Sequence, residues 1–237
     1  MLNKIQDATQ ATEQKDVLGG SRTFDTDVYD AVIKMAYFGE SSGGAISLTF
    51  HFDIDGTEFR NTLYVTNKQK KTFYYRDDKE VRLPGFILAD NISLLTTEKG
   101  LLEHETEDRV IKKYDVAQQK EVNTTVPVIV EMLNQKVSLG IVKQEVNKSV
   151  KVGDAYKRTA ETREENAIDK VFYAEDGRTV VEIQAGKTEA EFKPAWVAKN
   201  QGKLINRVKP AEVDANAQAG APTPSATPAP KKSLFNK

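Results

Sequence analysis

Ile46, Leu48, Phe50, Phe52 and Ile54 alternate without a break with Ser47, Thr49, His51 and Asp53, and a period of two marks a strand with one face buried and one face wet. Ahead of this strand, Asp27–Phe38 reads as another, and Gly39-Glu-Ser-Ser-Gly-Gly44 between them reads as a flexible turn. Behind it, Asp55-Gly56 is a strong hairpin signal, because both residues tolerate the positive φ of a tight two-residue turn. It leads into a third strand over Glu58–Thr66. The three together predict an antiparallel meander.

Leu83-Pro84-Gly85 interrupts the pattern, and Phe86–Thr97 then carries Phe86, Ile87, Leu88, Ile92, Leu94 and Leu95 at spacings that predict a short helix packed on the sheet. Further strands are predicted at Asp108–Tyr114, Thr125–Leu133 and Val137–Val146. The charged stretch Lys151–Asn166 reads as a mobile connection. Ala167–Ala174 and Thr179–Ala185 read as a hairpin across Glu175-Asp-Gly-Arg178, and Thr188-x-x-Glu191 as a capping box, with Phe192 and Trp196 one helical turn apart. Many short strands with an interposed helix predict a mainly β fold, specifically an OB-like antiparallel β-barrel with appended short helices.

Two ends differ in composition from this body. Residues 1–22 are polar and read as a flexible N-terminal arm, leaving 23–208 as the OB-like domain. Residues 209–237 turn to Ala, Pro, Thr and Gln, a composition that cannot bury a core and predicts a disordered tail. Its end is basic, Lys231-Lys232-Ser-Leu-Phe-Asn-Lys237.

The chain of 237 residues is 39% hydrophobic and 29% charged, with 34 basic and 35 acidic side chains and a net charge of −1. That balance argues against a uniformly basic nucleic-acid-coating surface. It leaves room for a local one: Lys68, Lys70, Lys71, Arg76, Lys79 and Arg82 face only Asp77, Asp78 and Glu80 in the same stretch, and the acidic run Glu103-His-Glu-Thr-Glu-Asp108 follows. Cysteine is absent, which excludes disulfides, thiolate metal sites and a cysteine nucleophile. No apolar window approaches the roughly 20 residues of a membrane helix, so a soluble intracellular protein is expected.

The candidate chemistry is concentrated in Asn67–Arg76, NKQKKTFYYR. Lys68, Lys70, Lys71 and Arg76 surround Phe73, Tyr74 and Tyr75, and this mixture suits single-stranded nucleic acid: cations track the phosphates while rings stack on unpaired bases. Tyr37, Phe38, Tyr64, Lys112, Lys113 and Tyr114 are further aromatic or basic positions at strand ends that would extend a stacking platform. The competing reading makes each of them an ordinary core or edge residue.

Other chemistries find less support. His51 and His104 are the two histidines, and both read as surface residues outside any metal or Ser-His-Asp set. Asp53-x-Asp55-Gly56 lacks the later acidic ligand of a calcium loop and reads as a turn. Gly39–Gly44 lacks the Lys-Ser/Thr ending of a phosphate-binding loop. Asp169, Glu182 and Gln184, with the last two on one strand face, are the residues from which a divalent-metal nuclease would be built, and nothing else in the chain joins them.

The segments DVYDAVIKMAYFGESSGGAISLTFHF, TLYVTN followed by Lys68, LPGFILADNISLL and AEFKPAWVAKNQGKLINRVK together resemble the single-stranded DNA-binding proteins of tailed bacteriophages, over about Phe24 to Val208. The order of segments carries the resemblance. It implies a non-enzymatic OB-fold protein without a cofactor, located in the cytoplasm of an infected bacterium. Such a protein coats and protects single strands during replication, recombination and repair, and recruits replication or recombination proteins. Many single-strand binders end in an acidic tail; this chain has no Asp or Glu after Asp214. The basic end, Lys231, Lys232, Leu234, Phe235 and Lys237, departs from that pattern: it would add to DNA affinity or dock on a partner protein, host RNA polymerase among the candidates that the resemblance to such phage proteins offers, the competing reading being an end without a function. A structural or protein-interaction β-domain, such as a virion component tethered by the tail, is the alternative reading.

Overall fold

The structure is a computed structural model that describes residues 23–115, 118–153 and 155–213. It is mainly β. The meander expected at the start is present as β1 (Asp27–Glu40), β2 (Ile46–Ile54) and β3 (Thr57–Tyr64). β2 carries the clean alternation inward, with Leu48, Phe50, Phe52 and Ile54 all buried. Asp55 and Gly56 both take positive φ in the β2–β3 turn, and the Asp53 carboxylate accepts the Gly56 N–H at 2.8 Å.

A separate two-stranded ribbon follows, β4 (Phe73–Arg76) paired with β5 (Lys79–Arg82), then helix α1 (Pro84–Thr97). Pro84 starts the helix, as expected of a residue with fixed φ and no N–H to satisfy. Gly85 lets the first turn lie on β3, because any Cβ there would sink into the Tyr64 carbonyl. Phe86, Ala89, Ile92 and Leu95 bury one face of α1 against the sheet.

The rest of the sheet consists of β6 (Glu107–Asp115), β7 (Lys120–Val128), β8 (Lys136–Val152) and β9 (Ala155–Phe172). Helices α2 (Val180–Gln184) and α3 (Phe192–Asn200) and a short β10 (Leu204–Asn206) complete the described chain. Hydrogen-bonded neighbours run β10-β8-β1-β2-β3, with β9 on β8 and the β6–β7 hairpin attached to β1 through β7. All pairs are antiparallel except β10 with β8. Among the described residues, β3 and β9 do not pair with each other, so the sheet is not closed by hydrogen bonds. Helix α1 packs on β3, β8 and β9.

Four expectations are corrected. Lys151–Val152 and Ala155–Asn166 are strand, part of the β8–β9 hairpin, and not a mobile connection. Thr179–Ala185 is a helical turn, not the second arm of a hairpin. Its cap is made by Thr179 and Glu182, while α3 has Glu191 as its N-cap and no side-chain cap from Thr188. β7 ends at Val128, and Val130–Met132 form a 3-10 turn that drops Met132 into the core.

Candidate nucleic-acid interface

Asn67 organises the basic segment. Its side-chain carbonyl accepts the N–H groups of Gln69 and Lys71 at 2.9 and 3.0 Å, and its amide donates to the Phe73 carbonyl at 3.2 Å. These bonds fold 67–71 into a tight loop with Lys70 at positive φ. The loop rests against the Gly39–Gly44 turn: the Lys68 stem lies where a Cβ on Gly43 would touch it, and Lys70 Nζ pairs with Glu40 at 3.2 Å. Lys70 is thereby partly neutralised. Among the described residues, Lys68 and Lys71 have no ion pair.

The β4–β5 ribbon turns through Asp77 and Asp78, both at positive φ. Strand alternation puts Phe73 and Tyr75 on one face and Tyr74 on the other. Phe73 and Tyr75 meet edge to face at 5.7 Å between ring centres, and the Lys71 ammonium lies 5.5 Å from the Phe73 ring and 6.0 Å from the Tyr75 ring, within cation–π range. Tyr75 is 61% exposed, and its hydroxyl donates to Glu80 at 2.9 Å, which raises the phenol pKa. The ribbon is anchored by Arg82, which stacks over Phe86 at 5.4 Å and reaches Asp90 at 3.6 Å. Arg76 stays exposed at the tip beside Asp77.

Strand register locates the other candidates. β7 runs antiparallel to β1 with Val128 opposite Tyr37, so the β6–β7 hairpin extends past the C-terminal end of β1. The β4–β5 ribbon leaves the sheet at that same end, after Tyr64, whose partner Ser47 faces Gly39. Lys112 and Tyr114 project from one face of β6 and Lys113 from the other, all exposed. Tyr64 is exposed on the outer face of β3. Lys68, Lys70, Lys71, Phe73 and Tyr75 are thus one cluster; Tyr64, Lys112 and Lys113 lie toward the same end on other strands.

Tyr37 does not belong to this platform. It is 7% exposed, packed with Val126, Val128, Met35 and Ile111 where the β6–β7 hairpin folds over β1. Phe38 packs against the main core. Both lie on the stretch of β1 that has neighbours on either side, so their rings are consumed by packing. Lys231, Lys232, Leu234, Phe235 and Lys237 lie outside the described residues.

The histidines are less exposed than expected. His51 is covered by Tyr37 at 5.7 Å between ring centres and pairs with Glu58 at 3.0 Å; burial, and then Arg60, lower its pKa. The His104 side chain is 1% exposed. Its Nε2 lies 2.7 Å from Ser93 Oγ and its Nδ1 lies 2.9 Å from Glu131. This Ser-His-Glu line has the spacing of a catalytic relay, but Ser93 is fully buried on α1 and donates to the Lys99 carbonyl. No substrate atom can reach it, and the set works as a clamp between α1 and the 3-10 turn at 130–132.

Asp169, Glu182 and Gln184 form no metal site. Asp169 accepts the Trp196 indole N–H at 2.7 Å. Glu182 is buried and accepts from the backbone of Thr179, Glu191 and Phe192 and from the Thr179 hydroxyl. Burial pushes its pKa up, but the backbone N–H groups outweigh it and hold the carboxylate down to about 2. Among the described residues, no three His, Asp or Glu side chains gather as a metal site, and no helix is long and apolar enough to cross a membrane.

Two clefts lie beside α1, away from the β4–β5 and β6–β7 hairpins. One of about 910 Å³ is between the end of α1, Asn134–Lys136 and Tyr173; another of about 640 Å³ is between α1, α2 and α3, with Ile87, Val181 and Phe192 on its walls.

Sequence reading missed one element of the same chemistry. The β8–β9 hairpin carries Lys151 opposite Tyr156, then Lys157, at its tip; the signal available was the Lys/Tyr/Lys content of 151–157. No protein-family model, curated protein or solved structure matches the chain.

Proposed function

We propose that this protein binds single-stranded DNA, with phosphates meeting Lys68 and Lys71 and bases stacking on the exposed rings of the β4–β5 ribbon. The observation that carries this reading is Lys71 poised over the half-buried Phe73 ring and the exposed Tyr75 ring, on a ribbon that projects from the sheet. A ring left in water beside an unpaired ammonium offers both halves of what an unpaired nucleotide presents, and every base has a π-face. Tyr64 and the Lys112–Tyr114 stretch extend the surface toward the β6–β7 hairpin. The acidic residues of the ribbon, Asp77, Asp78 and Glu80, limit how strongly duplex phosphates are attracted, which favours a ligand that contributes stacking.

The resemblance to phage single-strand binders supports an OB-type fold and a role in coating strands exposed by replication, recombination and repair in an infected bacterial cytoplasm. It extends to a basic tail acting on a protein partner such as host RNA polymerase. No catalytic step is assigned.

Fluorescence anisotropy of labelled oligo-dT against a duplex of equal length tests the reading. The expected result is preference for the single strand, with log affinity falling against log salt by about 0.7 per phosphate contact. Equal binding of the duplex, or no binding at low salt, contradicts it.

A further inference from the structure

The β8–β9 hairpin outruns the sheet to which it belongs. β1 pairs with β8 over Lys136–Ile141 and β10 pairs with it over Lys143–Glu145, so beyond Val146 the described strand partner of β8 is β9 alone. From Ile141 to Val152 the ribbon advances about 36 Å at roughly 3.3 Å per residue. Because Asp27 faces Ile141, it leaves the sheet at the N-terminal end of β1, opposite to the end carrying the β4–β5 and β6–β7 hairpins.

A two-stranded ribbon with little apolar surface is marginal by itself, and this one is braced. The Asn147 amide donates to the carbonyls of Thr159 and Lys209 at 2.8 and 2.9 Å, and Lys209 N–H returns a bond to Asn147. Arg158 is held by Glu212 at 2.6 Å, and Glu212 N–H donates back to the Arg158 carbonyl at 2.8 Å. Lys148 pairs with Glu161. The braces stop short of the tip.

At the tip, Tyr156 stands 74% exposed opposite Lys151, with Lys157 following it. Among the described residues, neither lysine has an ion pair. The combination repeats that of Lys71 with Tyr75 and of Lys112 with Tyr114: an exposed ring and an ammonium without an ion pair among the described residues, on one face of a projecting hairpin. Nothing in the packing requires the ring there.

We propose that this tip is a second single-strand contact, in which Tyr156 stacks on a base and Lys151 and Lys157 meet the flanking phosphates of a strand already held at the opposite end of the molecule. The proposal rests on the single-strand reading above.

Its test uses the full chain with Tyr156→Ala and with Lys151→Glu/Lys157→Glu, titrated with labelled oligo-dT of about 8 and about 30 nucleotides, lengths chosen around the site sizes typical of one OB-type domain. Both variants change exposed groups outside the braces, and circular dichroism against the parent checks the fold. The expected result is unchanged affinity for the short strand and about tenfold weaker binding of the long one. Parental affinity for the long strand in both variants overturns the tip contact and leaves the β4–β5 site standing. Equal weakening on both lengths overturns its separateness. Failure of the parent protein to bind either strand overturns the single-strand reading itself, and this proposal with it.

Discussion

The β4–β5 ribbon and the α3 end of the molecule are both built from clustered rings, and they use them in opposite ways. At α3, Trp196 is 4% exposed, packed edge to face on Phe172 at 6.3 Å with its N–H tied to Asp169. The fit is close enough that a Cβ on Gly140 would meet both rings at 3.3 Å. On the ribbon, Phe73 and Tyr75 meet edge to face at a similar distance, yet Tyr75 is exposed and Phe73 only half-buried, and the cation beside them, Lys71, has no ion pair among the described residues. Residue type does not separate a structural ring from a ligand-facing one. What separates them is whether the neighbouring strands have a third layer to press against, and the ribbon has none.

The largest effect that would sharpen this contrast is in the buried cluster. Trp196→Ala should cost about 3–5 kcal/mol, the range for emptying a large aromatic site, read as a shift in the denaturation midpoint; the folded variant should keep parental affinity for oligo-dT. Loss of affinity in fully folded protein would break the division of labour.

Glu182→Ala comes next, at about 3 kcal/mol, since it strands backbone donors of Thr179, Glu191 and Phe192 and removes a helix cap. The carboxylate has its pKa lowered from 4.5 to about 2 in the fold, so its contribution is fully present above pH 4.5 and is lost as the pH falls toward 2. The stability gap between the parent and Glu182→Gln should therefore narrow across that window. A gap that widens on acidification would contradict the assignment.

On the ribbon, Tyr75→Ala should weaken oligo-dT binding by about 1–3 kcal/mol while moving the denaturation midpoint by under about 0.5 kcal/mol, as an exposed substitution does. A large stability loss would make Tyr75 a packing residue like Trp196. The smallest effect is expected from Glu40→Gln. Releasing Lys70 from its ion pair should raise affinity by up to about 1 kcal/mol at low salt, the upper range of such exposed pairs, and the gain should vanish as salt rises.

The first half of the fold was legible because one face of each strand is dry. Leu48, Phe50, Phe52 and Ile54 had to alternate, and Pro84 had to open the helix near where it does. The β8–β9 ribbon was not legible for the converse reason. Beyond Val146 both of its faces are largely polar, so no hydrophobic period survives, and its order comes from Asn147, Arg158 and Glu212, bonded across more than 50 residues of sequence. At Val180–Gln184, β-branched residues suggested a strand, but Thr179 and Glu182 cap each other and fix one helical turn. For the candidate site, the Asn67–Arg76 cluster was visible in composition alone. That Tyr37 is buried, that Lys70 is paired with Glu40, and that two hairpins leave the sheet at one end required the register of β1 with β2 and β7.

Hydrogen–deuterium exchange with and without saturating oligo-dT tests the central claim most directly, because it compares the two regions in one experiment. The account predicts slowed exchange over residues 67–82 on adding the strand, with α3 unchanged. Protection at α3 without protection at 67–82 would contradict it.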